Sequence, residues 1–184
     1  MMSMKKYKIF ILIFLLFYTA KSQEDQFTNQ ENELSRLGEI ILNGDTDSIR
    51  HDANIQFKNI LNNLLNTKKS YKHNFKQIAP LSILQPKNKK FKLFSWFLPH
   101  TNGQYVYYGV IQKCNKRGKK CELFYLETIE KLNKINQNKK TLYNSWYGCL
   151  YYDIIPIKIK NHTYYTYLGW DGNDNLTTKK IIDV

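Results

Sequence analysis

The chain has 184 residues and a formal net charge of +13, from 28 Lys and Arg against 15 Asp and Glu. That length suits one domain with a real core, and three cysteines with no C-x-x-C pair give no support to a zinc or thioredoxin-like site. The bases are mostly Lys in loops such as Lys87–Lys90 and Lys113–Lys120, not Arg set for bidentate phosphate contacts, so a nucleic-acid partner is not expected.

The N-terminus carries Lys5, Lys6 and Lys8 without an acid, then the wholly apolar run Ile9–Tyr18, then the small residues Ala20 and Ser22. A basic segment, a short apolar core and a small-residue exit form a secretory signal peptide, with cleavage expected between Ser22 and Gln23. Spanning a bilayer takes about 20 apolar residues, and this run is half that. No later stretch is apolar enough to span. Residues 1–22 are therefore expected to be the leader and residues 23–184 a single exported α+β domain, periplasmic or secreted. With the leader and its four lysines removed, 162 residues with a charge of +9 remain. The charge is divided, with a net of −6 over residues 24–52 and +15 over residues 53–184.

Gln23–Gln30 is polar and reads as frayed. Leu34, Leu37 and Ile41 recur at helical spacing and predict a helix over Glu31–Leu42, ended by Asn43-Gly44. Asp45, Asp47 and Ser48 offer caps for a second helix. Its apolar positions are Ile49, Ala53, Phe57, Ile60, Leu61, Leu64 and Leu65, and Lys68 and Lys69 close it. Beyond Pro80 and Pro86 the pattern changes to aromatic and branched residues. Lys89–Leu98, Gln104–Lys113, Cys121–Leu126, Trp146–Ile157 and Thr163–Leu168 read as strands, with turns at Pro99–Gly103 and Asn161-His162. Lys179–Val184 opens a further strand. The expected fold is α+β: an N-terminal two-helix unit packed on an antiparallel meander of five or six strands.

Cys114 and Cys121 bracket a basic turn. Export permits a disulfide, and hairpin pairing would bring the two within bridging distance, leaving Cys149 over. The sequence has no nucleophile elbow, no H-E-x-x-H and no phosphate-binding glycine loop. Asp171–Asn175 concentrates oxygen ligands but lacks the order of a calcium loop and reads as a turn; neither a metal nor a cofactor is expected. A hydrolase site near His100, Cys149 or Asp171 is the alternative function. The leading one is non-catalytic binding of a glycan, peptide or envelope component through an aromatic-rich sheet, with Trp96, Trp146, Tyr147 and Trp170 as the candidate binding face.

The strings Phe91–Trp96 (FKLFSW), Tyr107–Gln112 (YYGVIQ), Trp146–Tyr152 (WYGCLYY) and Leu168–Asn173 (LGWDGN) resemble the signatures of a family of exported bacterial proteins with no assigned function. The resemblance covers roughly residues 31–184. It implies no enzyme activity and no catalytic residues to carry over. Members of that family run on beyond the K-K-I-I-D-V segment and lack the Cys114–Cys121 insert, so this chain is expected to be a C-terminally truncated version of a longer protein.

Overall fold

The computed structural model describes residues 27–67, 69–115, 120–126, 128 and 146–184; the expected leader and its expected Ser22–Gln23 junction lie outside them. Two helices are followed by two antiparallel sheets, an α+β arrangement. The expected single meander of five or six strands is instead a four-stranded sheet ordered β1-β2-β3-β4 and a three-stranded sheet ordered β5-β6-β7.

Helix α1 covers residues 27–43 and begins earlier than its polar start suggests. Phe27 is buried, with its ring 4.2 Å from that of His73 and 5.8 Å from that of Phe75. A partner 46 residues away holds this end of the described helix, and a periodicity argument cannot see it. Helix α2 spans Asp47–Leu65. Thr46 caps it, its hydroxyl accepting the Ile49 N–H at 3.3 Å, and Asp47 sits in the first turn, where the helix dipole favours an anion. Leu34, Leu37, Ile41, Phe57, Leu61 and Leu64 are fully buried on the inner faces of the two helices.

The first sheet holds β1 (Ser82–Leu84), β2 (Lys92–Pro99), β3 (Tyr105–Cys114) and β4 (Cys121–Leu126). β1 is three residues long, too short for its alternation to register in sequence. β2 is covered on both faces. Successive strand residues point to opposite sides, so Phe94, Trp96 and Leu98 meet the helices while Leu93 and Phe97 meet the second sheet. The second sheet holds β5 (Leu150–Ile159), β6 (His162–Asp171) and β7 (Lys179–Asp183). The molecule is thus three layers: helices, four-stranded sheet, three-stranded sheet. The β5–β6 turn falls at Lys160-Asn161, one residue earlier than expected, because Ile159 pairs with His162 and Lys160 takes the left-handed conformation (φ 52°).

Two serines fix the second sheet on the first. Ser82 and Ser95 lie directly opposite in the β1–β2 register. The Ser95 hydroxyl accepts the Tyr151 N–H at 3.1 Å, and the Ser82 hydroxyl donates to the Tyr151 carbonyl at 2.5 Å. Both backbone groups of a buried residue are thereby satisfied by side chains, as a dry interior requires.

Candidate functional site

Between the two sheets lies a cluster of tyrosines around one carboxylate. Asp171, at the end of β6, accepts the Tyr107 hydroxyl at 3.0 Å, the Tyr147 hydroxyl at 2.7 Å and the Asn173 N–H at 2.9 Å. The Tyr107 hydroxyl in turn accepts the Gly172 N–H at 2.7 Å. Alongside, the Trp146 indole N–H donates to the Tyr151 hydroxyl at 2.9 Å, which donates to Asp183 at 2.6 Å. Burial raises the Tyr107, Tyr147 and Tyr151 phenols above their ordinary value, and the aspartates beside them add to the rise. These hydroxyls therefore stay protonated and act as donors. Cys149 is fully buried in the same layer, and burial first, then Asp183 and Asp171, pushes its thiol up to about 12. A thiol so placed is a packing group, since the nucleophile is the thiolate.

His100 does not join this cluster. Its Nδ1 stands 3.5 Å from Asp47 Oδ2, and Asp47 also accepts the Thr101 N–H at 2.8 Å, tying the β2–β3 loop to the start of α2. The three residues of the hydrolase reading are thus divided, with Cys149 and Asp171 in the inter-sheet layer and His100 at the helix layer. Of the four aromatic candidates, Trp96 is buried on the helix side, stacked on Tyr108 with its indole N–H on Asn54 Oδ1 at 2.9 Å. Trp146 is buried between the sheets. Tyr147 and Trp170 are half-buried, Trp170 edge-on to Phe97 and Tyr105. The four do not share one exposed face. Cys114 and Cys121 are opposite one another in the β3–β4 ladder and are joined by a disulfide.

The exposed apolar surface lies on the outer face of the second sheet. Ile155, Ile157 and Ile159 of β5 stand opposite Thr166, Tyr164 and His162 of β6, so they share a face. Ile182 of β7 joins that face opposite Leu168. Exposure is 43% at Ile155, 44% at Ile157, 54% at Ile159, 47% at Tyr164 and 74% at Ile182, with Tyr152 of the β5 bulge at 46% beneath the Lys180 ammonium. Among the described residues, six of the eleven large apolar side chains that are exposed gather here. In sequence the run Ile155–Lys160 (IPIKIK) alternates as a core strand would, so nothing in its pattern separates an outward face from an inward one.

A second feature without a sequence signal is a buried charged corner beneath the helices. Lys92 of β2 points its Nζ at the His73 carbonyl (2.7 Å) and the Ser70 carbonyl (3.3 Å), with the Phe75 ring 5.4 Å away. Burial lowers its pKa to about 8. Glu31 is buried, its carboxylate accepting the Lys76 N–H at 2.9 Å and standing 3.1 Å from His73 Nε2 without a hydrogen bond to it.

No family model, curated protein or solved structure matches the chain. Among the described residues no helix is long and apolar enough to cross a membrane.

Proposed function

We propose that this is an exported protein that binds a component of the cell envelope without catalysis, through the outer face of the β5–β7 sheet. The carrying observation is the concentration of exposed Ile and Tyr on that one face; apolar surface gathered on one face, with no described residue covering it, is characteristic of interaction sites. The residues of the hydrolase reading offer little support to catalysis. The Asp171 carboxylate is taken up by two phenols and a backbone N–H, and the Cys149 thiol is buried and held protonated. The leader at residues 1–22 supports export.

Phenol nitration tests the face directly. Tyr152 and Tyr164 lie on it, while Tyr125 of β4 is 46% exposed on the other sheet and serves as the internal control. All three should react in the purified protein. In intact cells that export it, Tyr152 and Tyr164 should be protected while Tyr125 still reacts. Equal nitration of all three in both preparations would sink the proposal.

A further inference from the structure

The β5–β6 hairpin runs past the core that holds its base. The inward side chains that still pack are Ile154, Tyr165 and Tyr167, against Phe91 and Tyr151. From Ile155 through His162 every residue is exposed. Alternation puts Ile155, Ile157 and Ile159 on one face of this overhang and Pro156 and Lys158 on the other, with Lys160 in the turn at its end. From Ile154 to Trp170 the chain contains no Asp or Glu. The exposed loop carrying Lys87, Lys89 and Lys90 is drawn alongside, because Asn88 Nδ2 donates to the Tyr165 hydroxyl at 2.6 Å.

Three physical points identify what suits such a hairpin. A protein laid against a sheet covers one face, whereas among the described residues both faces of this tip are open, which fits a medium able to surround it. Strand addition along β5 is disfavoured, because Pro156 on that outer edge has no N–H to donate. The side chains are those of a membrane interface: isoleucine for the acyl boundary, tyrosine for the headgroup level, and lysines whose stems snorkel back to the phosphates. The strand from Ile155 to Ile159 reaches roughly 15 Å at about 3.4 Å per residue, enough for interfacial burial and too short to span.

We propose that the β5–β6 hairpin lies in the interfacial layer of a bilayer rich in anionic lipid, its tip and outer face immersed, and anchors the protein there. The proposal deepens the docking reading above by naming its envelope component as an anionic lipid surface. Isoleucines supply the apolar contact, and the acid-free, lysine-flanked tip supplies the preference for negative headgroups.

The test is flotation with vesicles of phosphatidylcholine alone or mixed with phosphatidylglycerol, at low salt. Wild type and variants are purified as the cell exports them, so all share one N-terminus. Wild type should partition to the mixed vesicles at least about thirtyfold better than to phosphatidylcholine alone. Ile157→Ser/Ile159→Ser should lose about a hundredfold on the mixed vesicles. Lys158→Gln/Lys160→Gln should lose about thirtyfold on the mixed vesicles and nothing on phosphatidylcholine, the weight of two basic side chains near an anionic surface. In Tyr164→Trp, the indole emission should move to the blue when mixed vesicles are added. Absence of flotation, flotation indifferent to the isoleucine pair, or a Trp emission that stays that of water would each overturn the lipid assignment. Protection of Tyr152 and Tyr164 in cells together with no flotation would overturn it while leaving the docking reading intact; no protection and no flotation would remove both.

Discussion

Lys92 is 5% exposed, and among the described residues its ammonium meets two carbonyls and an aromatic ring but no carboxylate. The other ionisable groups of that corner, Glu31 and His73, face each other. Burial disfavours the charged amine, so the native state surrenders this proton near pH 8, whereas the unfolded chain keeps it to the ordinary 10.5. Between those values the unfolded state binds more protons, so this group makes stability rise with pH, by on the order of 3 kcal/mol over the full window. Tyr107, Tyr147, Tyr151 and Tyr167 act in the opposite sense above about pH 10, where their raised native pKa values favour the protonated form that the unfolded chain has begun to lose. The buried Cys149 thiol acts in that same opposite sense from its ordinary value near 9, but it is common to wild type and Lys92→Met, so the difference between the two isolates Lys92 from pH 8 to 10. There, urea midpoints of wild type should climb relative to those of Lys92→Met, and parallel curves would refute the assignment. None of this was legible beforehand: Lys92 stands in a β-type run beside Phe91 and Leu93, and its partners are backbone carbonyls of a loop that sequence patterning does not place.

At the scale of elements, the change of apolar period near Pro80 carried the α+β class and most strand positions. It failed where tertiary contacts decide. The described start of α1 depends on Phe27 meeting His73 and Phe75, and the division into two sheets depends on how the chain returns at Tyr151 onto two serines. Trp96 and Trp146 read as candidates for an exposed platform because the sequence does not show that the helices cover one face of β2 and the second sheet the other, nor that Trp146 falls between the sheets. The helix layer also carries a constraint that only coordinates reveal. A Cβ added to Gly38 of α1 would meet the Ala79 carbonyl oxygen and carbon at a separation no real side chain adopts. The residue is glycine because helix and loop backbones touch there. Gly38→Ala should destabilise by about 2 kcal/mol or more, since backbone and not a side-chain tip must move, and this should appear as a lower urea midpoint with an unchanged slope. A neutral result would mean that the Ala79 loop yields freely.

The chain is electrically divided, with acids concentrated over residues 24–52, which from residue 27 on lie in the helix layer, and bases over the remainder. Such a distribution orients a protein in the field of a charged surface before any contact forms. One covalent tie is independent of that field. The Cys114–Cys121 bridge closes a loop seven residues apart at the far end of β3 and β4, and chain-entropy reasoning assigns such a short loop about 2 kcal/mol. Non-reducing mass spectrometry should find the linked peptide, and reductant should lower stability by that amount while leaving the β5–β7 face unchanged. Three free thiols would contradict the pairing. A different kind of dependence follows from Ser82 and Ser95. Ser95 takes the N–H of Tyr151 and Ser82 its carbonyl, so the two-point receiver exists only where β1 and β2 are correctly paired. A slip of one residue in β1 would turn Ser82 to the helix side and leave the Tyr151 carbonyl without its donor. The second sheet therefore proofreads the first: it docks only on a correctly registered β1–β2 pair. The ribosome also delivers the receiver before its guest, so the order of synthesis is the order in which that check can be made.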